Sequence, residues 1–313
     1  MVRRTLAIAV AAPWVLWALA RTLGLDVTHP FVGLMSFTPY VALTSPLPLI
    51  AALLLRRRLT AVVAGLAAVA LALAVAPRAL AGSEPDARGP RLTVMTANLY
   101  VGRGDPRALM ELVRRYHVDV LSVQELTPGE LARLDAAGAD ELLPGRAVEP
   151  RDGAAGTGLL SRVPLRSVAS ADAGDHAQPA AALPGSVVIT AVHPAPPVSR
   201  AREDGWAHAL DALPGAEPST LRILAGDFNA TLDHRALRGV LSRGYADSAD
   251  RAGVGLRATW PALPRRSLPI TIDHVLVDRR IRVEAVHVAA VPGSDHRAVV
   301  VTLRLPTDVA VAK

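Results

Sequence analysis

The chain has 313 residues, of which 51% are hydrophobic but only 4% aromatic, so alanine, leucine and valine supply most of its apolar character. It contains no cysteine, which excludes disulfides, thiolate nucleophiles and cysteine-ligated zinc. Residues 1–90 carry eight basic and three acidic side chains, whereas residues 91–313 carry 26 and 25. The formal charge of +6 therefore belongs to the N-terminal part and does not indicate a nucleic-acid-binding surface.

Residues 1–80 are predicted to form a membrane anchor with three transmembrane helices, from apolar stretches at 5–19, 31–55 and 61–76. A span needs about 20 mainly apolar residues, and each stretch reaches that length or falls slightly short without its flanks. The first stretch alone would fit a signal peptide, but two spans would remain after cleavage. Core helices of a soluble domain are the alternative. The second stretch contains three prolines that predict a kinked or broken helix, Pro39, Pro46 and Pro48.

Arginines predict the orientation of this anchor. Arg3 and Arg4 precede the first stretch, and residues 56–58 between the second and third are all arginine, so both clusters belong on the cytoplasmic side. Three crossings then place the rest of the chain outside the cytoplasm, held at the plasma membrane. That remainder is predicted to comprise a polar linker, a catalytic domain and a tail, at 81–90, 91–305 and 306–313.

From residue 91 short apolar runs typical of strands alternate with helical segments. A helix is predicted at 105–119, with Asp105 as its N-cap and Pro106 in its first turn. The alternation predicts an α/β fold with stacked or covered sheets. Strands are predicted at eight places, 92–98, 120–125, 158–161, 187–193, 221–229, 271–277, 283–290 and 297–305.

Several predicted strands end in a side chain suited to a metal ion or a phosphate. Carboxylate and amide oxygens are hard ligands that favour Mg²⁺ or Mn²⁺ over zinc, and histidines beside them stabilise phosphoryl charge or move protons. Cleavage of a phosphoester needs this combination. The residues concerned are Asn98, Gln124, Glu125, His193, Asp227 and Asn229, with Asp273 at the start of a strand and Asp295 and His296 just before the last one.

Five motifs in order resemble the endonuclease/exonuclease/phosphatase superfamily: TANL at 96–99, QE at 124–125, GDFNA at 226–230, IDHVLV at 272–277 and SDHRAV at 294–299. Members include pancreatic-type deoxyribonuclease, abasic-site endonucleases, neutral sphingomyelinases and inositol polyphosphate phosphatases. The resemblance covers about residues 91–305. It implies a four-layer α/β sandwich, in which two packed mixed β-sheets are flanked by helices, and metal-dependent hydrolysis of a phosphoester.

The resemblance also implies which residues hold the metal ion. Asn98 and Glu125 match the metal site of the family, with Glu125 as the main carboxylate ligand, and Asp295 matches a contact to metal or water. Tyr100 stands where many nucleases carry a further acid, so a second metal contact there is not expected. The implied cofactor is Mg²⁺ or Mn²⁺.

Five further residues match catalytic positions of the family. Asp227 matches the aspartate that orients or activates the attacking water, and Asn229 the amide that holds the phosphate. His296 matches the histidine that polarises the phosphoryl group or acts as a base, with Asp273 fixing its ring. His193 matches a histidine that contacts phosphate or protonates the leaving group.

We expect a membrane-anchored phosphohydrolase that acts on a lipid-linked phosphate or pyrophosphate, or on a phospholipid. A three-span anchor joined to such a domain also resembles actinobacterial membrane proteins linked to glycopeptide (teicoplanin) resistance. A surface nuclease is the first alternative, although the catalytic domain lacks excess positive charge. A catalytically inactive binding module is the second. His274 is expected to be structural, and Trp260 to serve in packing.

Overall fold

The computed structural model describes residues 2–170, 174–262 and 267–307. Of the predicted tail, residues 308–313 lie outside this range. The first 80 residues form five helices, α1 Val2–Leu23, α2 Phe31–Met35, α3 Thr38–Thr44, α4 Pro46–Leu54 and α5 Arg58–Val75. A 3-10 turn at Ala76–Ala79 continues α5.

Two of these helices, α1 and the segment Arg58–Ala79, are long and apolar enough to cross a membrane. The second apolar stretch is not one span-length helix, because it is divided among α2, α3 and α4, and its longest apolar part is Thr38–Leu54. The break predicted from the prolines lies at Ser45, where Pro46 occupies the first turn of α4 and has no N–H for the preceding turn. Helices α1, α4 and α5 pack on one another.

The rest of the chain forms two six-stranded mixed sheets. The first has the strand order β11-β12-β1-β2-β4-β3 and the second β5-β6-β7-β8-β10-β9. Only β1 with β2 and β7 with β8 pair in parallel. The strands are β1 Arg91–Asn98, β2 Val120–Gln124, β3 Gly145–Glu149, β4 Thr157–Ser161, β5 Arg166–Val168, β6 Ala180–Leu183, β7 Val187–Val192, β8 Leu221–Asp227, β9 Tyr245–Asp247, β10 Asp273–Asp278, β11 Arg282–Ala290 and β12 Arg297–Arg304.

Side chains along the strands alternate between the two faces of each sheet, and this alternation separates the layers of the fold. In β1, Leu92 and Val94 face the core between the sheets, whereas Met95 and Ala97 face a second core under helices. A third core lies on the outer side of the other sheet. The predicted four-layer α/β sandwich is therefore confirmed. The flanking helices are α6 Pro106–Arg115, α7 Pro128–Ala136, α8 Ala139–Leu142, α9 Arg200–Asp211, α10 Arg235–Ser242 and α11 Ser248–Arg251.

The predicted linker, residues 81–90, lies along the catalytic domain rather than standing free of it. The Gly82 amide donates to the carbonyl of Arg251 at 2.8 Å, and the Gly89 amide to that of Leu305 at 2.7 Å. The Glu84 carboxylate accepts the Val283 amide at 2.8 Å. Backbone groups paired in this way fix the segment, so the N-terminal helices are joined to the rest of the chain without a flexible tether.

A buried ion pair also joins the N-terminal helices to the catalytic domain. Arg78, at the end of α5, donates to both carboxylate oxygens of Asp233 at 2.8 and 2.6 Å. Arg21 from α1 reaches the same carboxylate at 3.1 Å. His234 contacts the carbonyl of Val32 at 2.8 Å, and Val32 packs in the core under α9 and α10. Three N-terminal elements, α1, α2 and the 3-10 turn after α5, thus meet at one short loop before α10.

Candidate active site

The two sheets bring their polar strand ends to one edge. Asn98 ends β1 and lies beside Gln124, the last residue of the parallel strand β2, so Glu125 follows directly at that edge. In the other sheet Asp227 ends β8 and pairs in register with Asp273, which begins the antiparallel strand β10. Because β8 and β10 are antiparallel, the end of β8 lies beside the start of β10. Asp273 therefore reaches the same edge although it begins its strand.

Asn98 links carboxylates from the two sheets. Its side-chain nitrogen donates to Glu125 Oε1 at 3.2 Å and to Asp227 Oδ2 at 3.1 Å. The Tyr100 amide donates to Asn98 Oδ1 at 2.9 Å, and the Val101 amide to Glu125 Oε2 at 2.7 Å. Two carboxylates are thereby held against a single amide group.

Backbone conformation at the site is unusual for residues with side chains. Glu125 has a φ of 56° and Asn229 a φ of 48°, both in the left-handed region. Such residues are held in place only where the surroundings determine them, and they concentrate at functional sites. Here the conformation turns each side chain back toward the strand edge. The Asn229 amide donates to Asp227 Oδ1 at 2.8 Å, and its side chain donates to the Pro194 carbonyl at 3.1 Å.

Gly226, in the GDFNA motif, allows β8 to approach β7 closely. A Cβ built on Gly226 would lie 1.8 Å from the carbonyl oxygen of Val192. Any side chain there would push apart the two parallel strands that carry Asp227 and His193. A glycine at this position of the motif therefore keeps Asp227 and His193 close together.

His296 is held by Asp273. Its Nδ1 lies 2.9 Å from Asp273 Oδ2 and 3.1 Å from Oδ1. The hydroxyl of Thr259 accepts the Asp273 amide at 3.1 Å, and Ser294 accepts the His296 amide at 3.0 Å while donating to the Asn98 carbonyl at 2.7 Å. These contacts fix the ring so that Nε2 faces the other carboxylates. Ser294 in the SDH motif thus positions the histidine loop against β1.

Both site histidines converge on one oxygen. His193 Nε2 lies 3.9 Å and His296 Nε2 3.8 Å from Asp227 Oδ2. These distances are too long for direct hydrogen bonds and suit an intervening water. Asp295 Oδ1 lies 4.0 Å from His296 Nε2. The structure therefore brings together seven of the eight predicted site residues around this point, and the eighth, Asn229, borders it through Asp227 and Pro194.

Three residues near the site were not predicted to contribute to it. The His176 ring packs at a tilt against that of His193, with centroids 4.8 Å apart, and Gln178 accepts the His193 amide at 3.2 Å. Their sequence context, DHAQ, carries no motif that would have revealed them. Trp260 was predicted to serve in packing, but its indole N–H donates to Asp295 at 3.2 Å. His274 is structural as predicted, because its ring contacts Asp247 and the Ala230 carbonyl.

Burial and mutual charge shift the pKa values of the site. Burial raises the pKa of Asp227 to about 7, helped by the charge of Asp273, and burial raises that of Glu125. Burial alone would lower the pKa of His296, but the charges of Asp273 and Asp227 outweigh it and raise the value to about 10. Burial, followed by the charges of His176 and His296, holds the pKa of His193 well below its usual range. At neutral pH His296 is therefore cationic and His193 neutral.

The donor set fits a divalent cation. Glu125, Asp227 and Asp273 form no ion pair with an arginine or lysine in the part of the chain that the structure describes. Asp227, Asp273 and His296 offer ligand atoms that lie within 4.8 Å of one another, but Asp273 is already engaged by the ring. Glu125, which the amide of Asn98 links to Asp227, is the better carboxylate ligand, and its raised pKa reflects the burial of a charge that a hard cation would compensate.

Comparisons with known proteins agree with this geometry. The model of the Endonuclease/Exonuclease/phosphatase family matches residues 95–296, whereas no curated protein gives a significant match. An endonuclease/exonuclease/phosphatase from Beutenbergia cavernae has a similar structure, with a TM-score of 0.52 and 20% identity over 69% of this chain and 72% of that one. D. rerio TDP2 complexed with a single-stranded DNA product also has a TM-score of 0.52, at 18% identity over 68% of this chain and 98% of that one.

An AP endonuclease from Archaeoglobus fulgidus gives the same TM-score of 0.52, at 14% identity over 67% of this chain and 98% of that one. At these identities the likeness establishes the fold, whereas the family model establishes membership. The chain belongs to the endonuclease/exonuclease/phosphatase family and is a metal-dependent phosphoester hydrolase.

Proposed function

We propose that this hydrolase is a membrane-anchored enzyme that removes phosphate from a lipid, with its active site outside the cytoplasm. The observation that carries the proposal is the short loop between Asn229 and Arg235. Its first residue borders the catalytic carboxylates, and Asp233 and His234 within it bind the anchor. A phosphate in the site would thus lie near the membrane end of the domain, where a headgroup is accessible.

Exposed apolar side chains support the anchor. Of the large apolar residues that are exposed in the described part of the chain, 22 lie before residue 81 and four after it. A water-soluble protein rarely exposes so much contiguous apolar surface. The two span-length helices and the apolar pair α3 and α4 together suit three crossings, with α4 running back between α1 and α5.

Arginine placement supports the orientation. Arg4 of α1 and Arg56, Arg57 and Arg58 before α5 line one cavity at an end of the helical bundle. Arg21 and Arg78, at the other ends of the same two helices, contact the catalytic domain. The exposed arginine cluster and the catalytic domain thus lie at opposite ends of the anchor. By the positive-inside rule the cluster is cytoplasmic and the domain extracytoplasmic.

Each site residue has a role in the proposed reaction. Glu125 would hold Mg²⁺ or Mn²⁺, with Asp295 nearby, and the ion would supply Lewis-acid stabilisation of the phosphate charge. Asn98, predicted as a ligand, turns its amide nitrogen toward Glu125 and Asp227 and so positions the two carboxylates. Protonated His296 donates Nε2–H to a phosphoryl oxygen. Neutral His193 and the amide of Asn229 hold further phosphate oxygens. The lowered pKa of His193 leaves its ring neutral at neutral pH, without an acidic proton to give, so we do not assign it the protonation of the leaving group.

The reaction exchanges one bond at phosphorus for another. Water attacks phosphorus while the Asp227 carboxylate, whose pKa of about 7 suits a general base, accepts the water proton. The bond from phosphorus to the leaving oxygen breaks, and that oxygen takes a proton from solvent. Asp227 then returns its proton to solvent, which restores the starting state. A lipid pyrophosphate suits this mechanism, since its leaving phosphate needs no protein acid.

Phosphate release tests the proposal. Detergent-solubilised protein with Mg²⁺ or Mn²⁺ is assayed on a long-chain prenyl pyrophosphate, a phospholipid panel and plasmid DNA. Asp227→Asn serves as the inactive blank, and Asp211→Asn, an exposed surface change, as the matched control. Lipid-derived phosphate from wild type and Asp211→Asn alone would support the proposal. Nicking of DNA without lipid turnover would make the protein a tethered nuclease, and no turnover would contradict both.

A further inference from the structure

A slot lies between the anchor and the catalytic domain. It has a volume of about 440 Å³, within the range of small-molecule sites. The anchor contributes Leu43 and Ala72 from α3 and α5, and the domain contributes Leu232 and Ile270. Its lining is predominantly apolar, so it does not suit a sugar or a nucleotide.

The slot and the active site share one wall. Trp260 and Ile270 pair across a short two-stranded ribbon. Ile270 lines the slot, whereas the Trp260 indole donates to Asp295 in the active site at 3.2 Å. The same ribbon runs on through Thr271 and Ile272 to Asp273. On the other side Thr231 lines the slot only two positions after Asn229. The slot therefore comes within two residues, along the chain, of both Asn229 and Asp273 at the active site.

The slot is already assembled in the structure. Arg78 lines it and is held by the buried carboxylate of Asp233. The Tyr40 hydroxyl donates to the Pro269 carbonyl at 2.6 Å, which closes a second link between anchor and domain. Leu43 is 78% exposed and Leu256 is 42% exposed, so apolar side chains mark the outer rim. A chain could enter from the lipid side without separating the two parts.

We propose that this slot binds the hydrocarbon chain of the substrate while the phosphate occupies the active site. The inference rests on the proposed function and specifies its substrate class: a phosphate or pyrophosphate carried by a long prenyl or acyl chain. Each buried methylene strengthens binding by about fourfold. A few methylenes therefore give a preference of more than tenfold in kcat/KM over the same phosphate group on a short chain.

Matched substrates and matched variants test the slot. The full chain in lipid nanodiscs is assayed on a long-chain prenyl pyrophosphate and on isopentenyl pyrophosphate, which differ only in chain length. Ala72→Trp fills the slot, whereas Ala70→Trp changes an exposed position of the same helix that does not line it. We expect Ala72→Trp to lower kcat/KM for the long chain at least tenfold and to leave the short-chain value unchanged. Ala70→Trp should change neither.

If Ala72→Trp and Ala70→Trp changed kcat/KM for the long-chain substrate equally, the hydrocarbon chain would not bind in the slot. Partition into the bilayer alone would then explain any preference for the long chain. In that case hydrolysis by wild type would leave the proposed function standing. Failure of wild type to hydrolyse either pyrophosphate would instead contradict the proposed function.

A binding measurement tests the slot without turnover. Phosphatidic acid with a photoactivatable chain is crosslinked to the Asp227→Asn protein, and the labelled peptides are mapped. Labelling concentrated on α3, the end of α5 and residues 267–272, and lost in Ala72→Trp, supports the proposal. Even labelling along the lipid-facing sides of α1 and α5 would overturn it. Thermal unfolding of both tryptophan variants verifies that they fold.

Discussion

Asp227 and Asp273 lie directly opposite each other on β8 and β10, two buried carboxylates in one register pair. Their proximity has opposite consequences for the two residues. Asp273 is neutralised by His296, which it holds at 2.9 Å. Asp227 keeps a pKa of about 7 and faces the space where both histidines converge. One carboxylate thus positions a cation, and the other is the base of the reaction that we propose.

Removal of the cationic His296 side chain should reduce turnover strongly. His296→Ala is expected to lower kcat by about 10²–10³-fold, because a preorganised charge at the phosphoryl oxygens is lost. Asp273→Asn should lower it by about 10–100-fold, since the ring stays but loses its orientation and charge. Steady-state kinetics with a lipid phosphate measure both.

Asp247→Asn provides the matched control, because Asp247 holds the structural His274 in a similar buried pair at 2.8 Å. It should lower the melting temperature while kcat changes less than about threefold. A loss of kcat in Asp247→Asn as large as in Asp273→Asn would show that stability, rather than positioning, explains the first result.

Glu125→Gln should weaken metal binding. The change removes the carboxylate charge but keeps the shape, so the Mg²⁺ concentration for half-maximal activity should rise about tenfold or more. Isothermal titration with Mn²⁺ gives a second readout that is independent of turnover. Glu130→Gln is the control, because Glu130 is buried nearby but pairs with Arg133. Unchanged metal affinity in Glu125→Gln would remove Glu125 from the metal site.

Stability should depend on the protonation of His296. Its pKa is raised from 6.5 to about 10 in the folded protein, so its contribution is complete below pH 6.5 and disappears as the pH rises through 10. In metal-free buffer, wild type should therefore melt above His296→Asn at pH 6.5, and the difference should shrink by pH 10. A difference that stays constant over this range would contradict the charged pair.

Much of this site is predictable from the sequence because its residues end buried strands. Asn98, Glu125, His193 and Asp227 follow apolar runs whose parallel pairing brings them to one edge. Four strands were not predicted, β3, β5, β6 and β9. They are three to five residues long and rich in alanine, arginine or glycine, so periodicity gives no signal.

The junction between anchor and domain could not be predicted. Arg78 and Asp233 are 155 positions apart, and nothing in either local sequence marks them as partners. The segment 81–90 has a composition typical of a flexible linker, yet its amides pair with the domain. His176 and Gln178 likewise reach His193 only through the tertiary fold.

The buried ion pair between Arg78 and Asp233 should make each partner depend on the other for the stability of the junction. Asp233→Leu leaves Arg78 buried without its partner, which costs about 3–5 kcal/mol. The double variant Arg78→Met with Asp233→Leu should recover most of that loss, because two apolar groups then pack together. Thermal melting in detergent measures both. An equal loss in the single and double variants would mean that packing, rather than charge, decides stability here.

The absence of cysteine allows a clean test of orientation. A single cysteine introduced as Asp211→Cys, on the exposed surface of the domain, should react with a membrane-impermeant maleimide in intact cells. Arg57→Cys, in the arginine cluster, should react only after the cells are opened. The reverse pattern would place the catalytic domain in the cytoplasm.

Hydrolysis by intact cells tests the central claim most directly. Cells that express wild type or Asp227→Asn are given a long-chain prenyl pyrophosphate outside, with Mg²⁺, and phosphate is measured in the medium. We expect release by wild type only, at a rate that lysis of the cells does not increase. Release that appears only after lysis, or equally with Asp227→Asn, would contradict an extracytoplasmic lipid phosphohydrolase built on these carboxylates.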